Sequence, residues 1–507
     1  MLFVGIGFTL ICTLTLIHPP IFLNFLNNKI YDIVLMSVHS KKTSGIPVVI
    51  DIDEQSLLQY GQWPWPRYRV ALLLERLKSL GVSAVGIDIL FAEPDHTSPS
   101  VLKHALKVDL NLDIGFTNIP DALRDNDKVF ANTLSKGPFI TAYKFVFEGK
   151  LKQDDRCLLH PLKVAIIDAD DNAGQTYHEP KGVLCNLQAL SEATAASGFF
   201  NANADRDGIL RRVPLVMLWQ GRYYPNLALA TYLYAIGINQ VIIKRNRLGL
   251  ESIHAGDITI PVDSAGNMLV HFRGGHKTFP FYSAADVMSG KISRNALEGK
   301  IVLLGTSAAG LLDVHSTPFD QYYPGIETHA TVIDTLLMKD FISQPGWTPG
   351  AEFLLVLVIG LVSTALFTYL RVLMSIPILI SVSLALWFGT QRLMVTNGYY
   401  FSPLMPFLTL SNIFVILTII RFRKEESRRH FLHSAFSKYV SGTVVDELVR
   451  NPQRLTLQGE ERIVSILFCD IRDFTSISEM MTPTDVATLL KEYFTPMSVK
   501  PIPTNNI

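Results

Sequence analysis

Four blocks of uninterrupted apolar sequence interrupt an otherwise mixed pattern of hydrophobic and polar positions. The first, Met1 to Ile17, closes at His18-Pro19-Pro20 and is near the shortest apolar helix, about 17 residues, that crosses a bilayer. No basic residue precedes it and no small-x-small cleavage site comes after it, so it reads as an uncleaved anchor over residues 1–24 rather than a secretory signal. The missing basic flank also points to a true start upstream. The other blocks, Phe353–Leu370, Val372–Thr390 and Leu404–Ile420, are divided by Arg371 and by the polar stretch Gln391–Ser402, and predict three spanning helices over 351–421. Arg421, Arg423, Lys424, Arg428 and Arg429 come directly after the last block, which the positive-inside rule places on the cytoplasmic side. Residues 25–350 then lie outside and everything beyond 421 inside. Trp347, Trp387, Tyr399 and Tyr400 fall near the predicted span ends, either as interface anchors or as ordinary surface aromatics.

Between the first and second blocks the pattern changes to short apolar runs alternating with helical spacing. Ile46–Asp53 is a buried-strand pattern ending in carboxylates, Ala71–Gly81 has helical spacing with a glycine stop, and Val82–Phe91 is strand-like again. Strand, helix, strand implies a parallel pair with a right-handed crossover. Gly299–Gly310 adds a further buried strand, succeeded by a helix starting near Ile326. The expectation is an α/β domain with a largely parallel sheet.

Ligands in open α/β sheets bind outside the carboxyl ends of the strands. Asp51, Asp53, Asp88, Thr306 and Ser307 sit at or just past such ends, with Asp313 in the next loop. They are candidates for holding a cation or a polar small molecule; the alternative is that they cap helices and turns. Arg67 is a candidate counter-charge. Ala202–Leu215 carries an Asp-x-Asp-Gly series but lacks the full ligand set of a calcium loop, and reads as a tight turn before a strand.

Composition changes this picture little. The 45 basic and 45 acidic residues cancel, so no global field points to nucleic acid. Four cysteines, Cys12, Cys157, Cys185 and Cys469, show none of the close spacing of zinc or redox sites. Cys157 and Cys185 both fall in the external segment, where an oxidising compartment allows pairing. Two separate buried thiols are the reading favoured over that pair.

Trp63–Arg67, Gly86–Asp95 and Ile301–Leu337 resemble the type-two CHASE family of extracytoplasmic sensor domains, over roughly residues 25–345. Three trailing spans are typical of that family. The resemblance implies a sensor with an unidentified extracytoplasmic ligand, and it marks the Asp-x-Asp-Gly string as a feature of the fold.

Beyond the spans, Phe431–Pro452 places Leu432, Phe436, Tyr439 and Val440 on one helical face within a coupling segment over 422–460. Glu461–Glu479 reads as a strand, an acidic loop and a helix, and its core ILFCDIRDFT (Ile466–Thr475) resembles the opening of a class III nucleotide cyclase domain of ferredoxin-like α+β fold, here over 461–507. That resemblance implies ATP as substrate, two Mg or Mn ions, and a homodimer paired through the coupling segment. It assigns Asp470 and the Ile471 carbonyl to metal, and the Phe474 and Thr475 amides to nucleotide phosphate. Asp473 stands where many relatives have glycine. After Met497 the string SVKPIPTNNI leaves the family pattern before the second metal aspartate, the base-selecting residues and the transition-state Asn and Arg. The expectation is a sensor adenylate cyclase cut short and inactive alone, with a non-enzymatic receptor or decoy partner as the alternative. ATP and GTP are not distinguished by the residues present.

Overall fold

The computed structural model describes residues 1–38, 40–148, 157–168, 178–247, 249–308, 313–436, 463, 468 and 470–499. Two compact units divide the chain, Met1–Phe422 and Arg423–Ile507.

The first apolar run folds as α1 (Leu2–Ile17), and α2 (Ile21–Val38) leaves it at 83°. The break falls at Pro19-Pro20, where the missing amides cannot continue the helical ladder. Helix α2 therefore crosses the expected boundary between anchor and sensor. Next come β1 (Pro47–Asp51), α3 (Glu54–Tyr60), α4 (Arg67–Ser79) and β2 (Ala84–Ile87), the strand-helix-strand unit read from the sequence. Helices α5 (Pro99–Leu110) and α6 (Asn126–Leu134) lead to β3 (Phe139–Val146), β4 (Lys163–Asp168), β5 (Gly182–Leu184), α7 (Gln188–Ala193) and β6 (Ala196–Phe199). The chain continues through β7 (Arg212–Pro214), β8 (Val216–Trp219), β9 (Arg222–Pro225) and α8 (Leu227–Ala235). A meander of β10 (Gln240–Asn246), β11 (Gly249–Ala255) and β12 (Ile258–Pro261) precedes β13 (Asn267–Leu269) and β14 (Phe281–Ser283). The domain closes with α9 (Ala284–Met288), α10 (Arg294–Leu297), β15 (Ile301–Gly305), β16 (Val314–His315), β17 (Tyr323–Pro324) and α11 (Gly325–Met338).

Seven strands make the central sheet, in the order β14-β1-β15-β2-β3-β5 with β6 also pairing β3. Every pairing is parallel except β3 with β5. Side-chain alternation decides what each face meets. Val48 and Ile50 of β1, with Val302 and Leu304 of β15, join the core under α4, α6 and α9. Val49, Ile301 and Leu303 point the other way, into the core shared with α8 and α11. Asp51 lies beside Gly305, and Ile87 beside Leu304. The carboxyl ends of β1, β15 and β2 thus share one edge of the domain. A second sheet, β12-β11-β10-β4, turns Val241, Ile243, Ile253 and Ile260 into the same core.

Cys157 and Cys185 form a disulfide with Cα atoms 5.9 Å apart, which corrects the reading of two separate thiols. The pair meets because β5 folds back antiparallel on the end of β3. A bond of this kind belongs to an oxidising compartment.

Among the described residues, three helices are long and apolar enough to cross a membrane: α12 (Thr348–Tyr369), α13 (Val372–Asn397), and residues Leu404–Arg428 of α14 (Leu404–Phe436). The bent pair α1 and α2 is a fourth if it counts as one span. Helix α1 packs on α12 through reciprocal glycine-threonine contacts. A Cβ at Gly5 would meet Thr364 Cγ2 at 2.3 Å, and one at Gly360 would meet Thr9 Cγ2 at 2.3 Å. Small residues let apolar helices approach this closely where no hydrophobic effect drives them together.

In the second unit, helices Phe474–Glu479 and Pro483–Val499 come after the loop at Asp470. The strand expected to open that loop falls mostly outside the described residues, as do the side chains of the stripe Leu432, Phe436, Tyr439 and Val440.

Candidate functional site

Four of the six polar residues expected at the sheet edge and in its next loop, Asp51, Asp53, Thr306 and Ser307, are committed to the fold. Asp51, buried at the end of β1, accepts hydrogen bonds from the Ser307 amide at 2.8 Å and from Ser307 Oγ. Burial pushes its carboxyl up, and the Ser307 bonds partly offset this. Asp53 caps α3, accepting from Ser56 N at 2.9 Å, Ser56 Oγ at 2.7 Å and Ser283 Oγ at 2.8 Å. Thr306 Oγ1 donates to the Ile52 carbonyl at 3.1 Å.

Asp88 and Asp313 behave differently. Asp88 Oδ2 lies 4.0 Å from His329 Nε2, both side chains being only about a tenth exposed, and Asp313 Oδ1 lies 3.7 Å from His315 Nε2. His329 projects from α11, with Thr328 beside it. Asp313, His315, Thr328 and His329, with Asn201 and Asn226, line a hollow of about 10 Å³. Thr328 Oγ1 is buried there without a hydrogen-bond partner among the described residues. Gly325 makes the approach of Asp313 feasible, since a Cβ would stand 2.8 Å from Asp313 Oδ2. Burial, and after it the neighbouring Asp313, pushes the Asp88 carboxyl up to about 7. Burial, and after it His315, holds His329 down to about 4. At 4.0 Å no hydrogen bond offsets burial, so both groups are neutral between these values. Among the described residues no three His, Cys, Asp or Glu side chains are grouped to hold a metal ion.

The histidines were missed because a reading of strand ends passes over a helix side chain. The signal was present in the string His315–Pro318 and in His329, each inside the family-like segment.

Arg67 is not a counter-charge to these carboxylates. It sits over the Phe91 ring at 4.5 Å, 3.6 Å from Asp127, and its amide donates to Asp95 Oδ2 at 2.7 Å. The Asp-x-Asp-Gly string is a tight turn as expected, with the Gly208 amide bonded to the Asp205 carbonyl and Gly208 at φ +79°. Its carboxylates bind a guanidinium of the same chain. Arg211, 1% exposed, donates to Asp205 at 3.0 Å, to Asp207 at 2.7 and 2.9 Å, and to Asp32 of α2. A second buried arginine, Arg273, donates to Asp334 of α11 at 2.8 Å and to Asp340 at 2.6 and 2.7 Å. Asp334 also accepts from Ser44 N at 2.7 Å and Ser44 Oγ at 2.6 Å, in the link from α2 to β1. Two ion-pair networks thus fasten the sheet domain to the segment leaving α1.

In the second unit Asp470 is exposed, and its Oδ1 accepts from the Ile471 amide at 2.9 Å. The Ile471 carbonyl accepts from the Phe474 amide at 3.3 Å. Phe474 and Thr475 open a short helix. Asp473, just before it, has φ 57°. That left-handed conformation costs glycine least and is tolerated by Asp.

No curated protein and no solved structure matches this chain. The family model described as the CHASE2 domain matches residues 7–365. That match takes in most of α1, both sheets, both arginine networks and most of α12. With more than half of its length matched, the chain belongs to the CHASE2 family, whose domain is an extracytoplasmic sensor.

Proposed function

We propose that the chain is a membrane-bound sensor of the adenylate cyclase lineage. The sheet domain faces outside, and the spans carry its state to a cytoplasmic class III cyclase segment of the kind that converts ATP to cyclic AMP and pyrophosphate. The observation that carries the sensing half is the pair of buried arginine networks joining the sheet domain to α2 and its linker. A change of shape in a domain tied this way has a rigid route to the helix leaving the membrane. The disulfide supports the external placement, and the basic run from Arg421 supports a cytoplasmic placement for the residues beyond it. The hollow lined by Asp313, His315 and His329, with Asp88 4.0 Å from His329, is the proposed place where an external ligand acts.

The output half rests on the resemblance of Ile466–Thr475. In this reading Asp470 and the Ile471 carbonyl hold Mg or Mn, the Phe474 and Thr475 amides face the triphosphate, and two chains pair through the coupling segment. The metal ions supply charge neutralisation for the attacking and leaving oxygens.

Reporter fusions at residues 200, 395 and 435 test the topology. External signals at 200 and 395 with a cytoplasmic signal at 435 are expected, and a cytoplasmic signal at 200 overturns it. For the output, residues 1–460 joined to a complete class III catalytic domain should give cyclic AMP synthesis that shifts on Asp88→Asn or His329→Gln. Synthesis indifferent to both would sink the sensor-cyclase reading.

A further inference from the structure

We infer that the cleft between the outer face of the β10–β12 sheet and the segment leading into α12 binds the headgroup of a zwitterionic phospholipid, phosphate and ammonium together. The inference rests on the membrane-sensor reading, which sets this cleft at the surface of the outer leaflet. The cleft measures about 920 Å³, at the upper end of the roughly 300–1,000 Å³ that ligand sites occupy.

One wall is dictated by strand alternation. Ile243, Ile253 and Ile260 face the core, so Lys244, Ser252, His254 and Thr259 stand on the opposite face and line the cleft. The other wall is the connection to the spans, including Trp347, immediately before α12, and Tyr399, in the loop between α13 and α14. Their rings meet edge-on at 6.0 Å, and they are 55% and 37% exposed. Aromatic side chains beside span ends belong at headgroup level, so this wall continues into the bilayer. A soluble ligand has no need of such a wall.

Charge selects the headgroup. The cleft carries Lys244 paired to Glu251 at 2.7 Å, and Arg212 at 3.8 Å from Asp263. Each partner is between about a third and a half exposed. Pairs this open to water are weak and exchange partners readily. Cations and anions are balanced, which fits a phosphate and an ammonium on one molecule better than a purely anionic headgroup. The Trp347 ring adds a face that attracts an ammonium. An occupant would touch both sides of a joint, since Leu269 bridges to Ile342 and Ser343 bridges to Tyr399. Lipid composition would then bear on how the sheet domain sits against the first of the three spans.

The test is native mass spectrometry of the full chain in detergent, with dioleoyl-phosphatidylethanolamine or dioleoyl-phosphatidylglycerol added at equal concentration. Ethanolamine-lipid adducts should survive activation about three-fold better, the order expected from one water-exposed charge contact. Thr259→Trp, which fills the cleft from an exposed strand position, should abolish that preference. Gln240→Trp, exposed on the same sheet and outside the cleft, should keep it. Glu251→Gln, which leaves the packing untouched, should weaken the ethanolamine lipid selectively. Equal retention of the two lipids, or an unchanged preference in both Thr259→Trp and Glu251→Gln, overturns the inference. Displacement of the lipid by stoichiometric soluble phosphoethanolamine overturns the lipid source. The reporter at residue 200 reads the topology independently, so failure of the membrane reading is told apart from failure of the cleft.

Discussion

Arg211 holds Asp32 through two parallel hydrogen bonds, Nε to Oδ1 at 2.6 Å and Nη2 to Oδ2 at 2.8 Å, between residues 179 positions apart. Planar bidentate pairing of this kind fixes orientation as well as distance. The same guanidinium closes the turn at Asp205 and Asp207, so one side chain sets the angle between α2 and the sheet domain.

Removing that side chain leaves buried carboxylates without their partner. Arg211→Ala should therefore cost about 3–5 kcal/mol, read as a lowered thermal midpoint of the detergent-solubilised chain. Arg211→Lys should recover only part of it, because an ammonium cannot reproduce the fork. A wild-type midpoint in Arg211→Ala would show that α2 is held by other contacts.

The pair Asp88 and His329 gives a pH signature with opposing parts. Asp88, raised to about 7, holds its proton more tightly in the folded state. Its contribution to stability is complete below about pH 4, the unfolded value, and is lost as pH rises through about 7. His329, lowered to about 4, works the other way, and its contribution is present above about pH 6.5 and lost as pH falls through about 4. Between about pH 4 and 6.5 the two offset each other. Asp88→Asn should unmask the histidine, giving stability that climbs with pH across that window by up to about 1.4 kcal/mol per unit. A flat denaturation profile in that variant would contradict the burial of His329.

Helices α1 and α12 should separate when either contact glycine gains bulk. Gly360→Val drives a side chain into Thr9, and overpacking of this kind costs about 1–3 kcal/mol. Gly7→Val, with nothing within 4 Å of its added Cβ, is the matched control. Equal thermal midpoints for the two variants would remove the case for close packing.

The disulfide closes a loop with a sequence separation of 28. Cys157→Ala with Cys185→Ala should lower stability by about 3.6 kcal/mol on the loop-entropy scale. Intact protein should release two further thiols to a maleimide only after reduction, and labelling of both cysteines without reductant would disprove the bond.

Local pattern carried a definite share of this structure. The apolar run Ile46–Asp53 marked a buried strand, whose period of two sets Val49 opposite Val48 and Ile50, and the apolar runs determined α12, α13 and α14, because each property depends on residues within a few positions of one another. Asp53 as a helix cap was likewise within reach, its partner Ser56 lying one turn on. Partnership is where local pattern fell short. Asp88 and His329 meet because β2 and α11 come together at one sheet edge, and nothing near either residue records that. Cys157 met Cys185 through the antiparallel return of β5 on β3, and Asp32 joined Asp205 and Asp207 on Arg211 because α2 folds back on the domain. A residue's own neighbours decide which face it occupies, whereas the order of strands across a sheet decides what that face meets. That order is set by core packing between segments that are not neighbours in sequence, as far as 179 positions for Asp32 and Arg211, so only the tertiary structure could assign these partners.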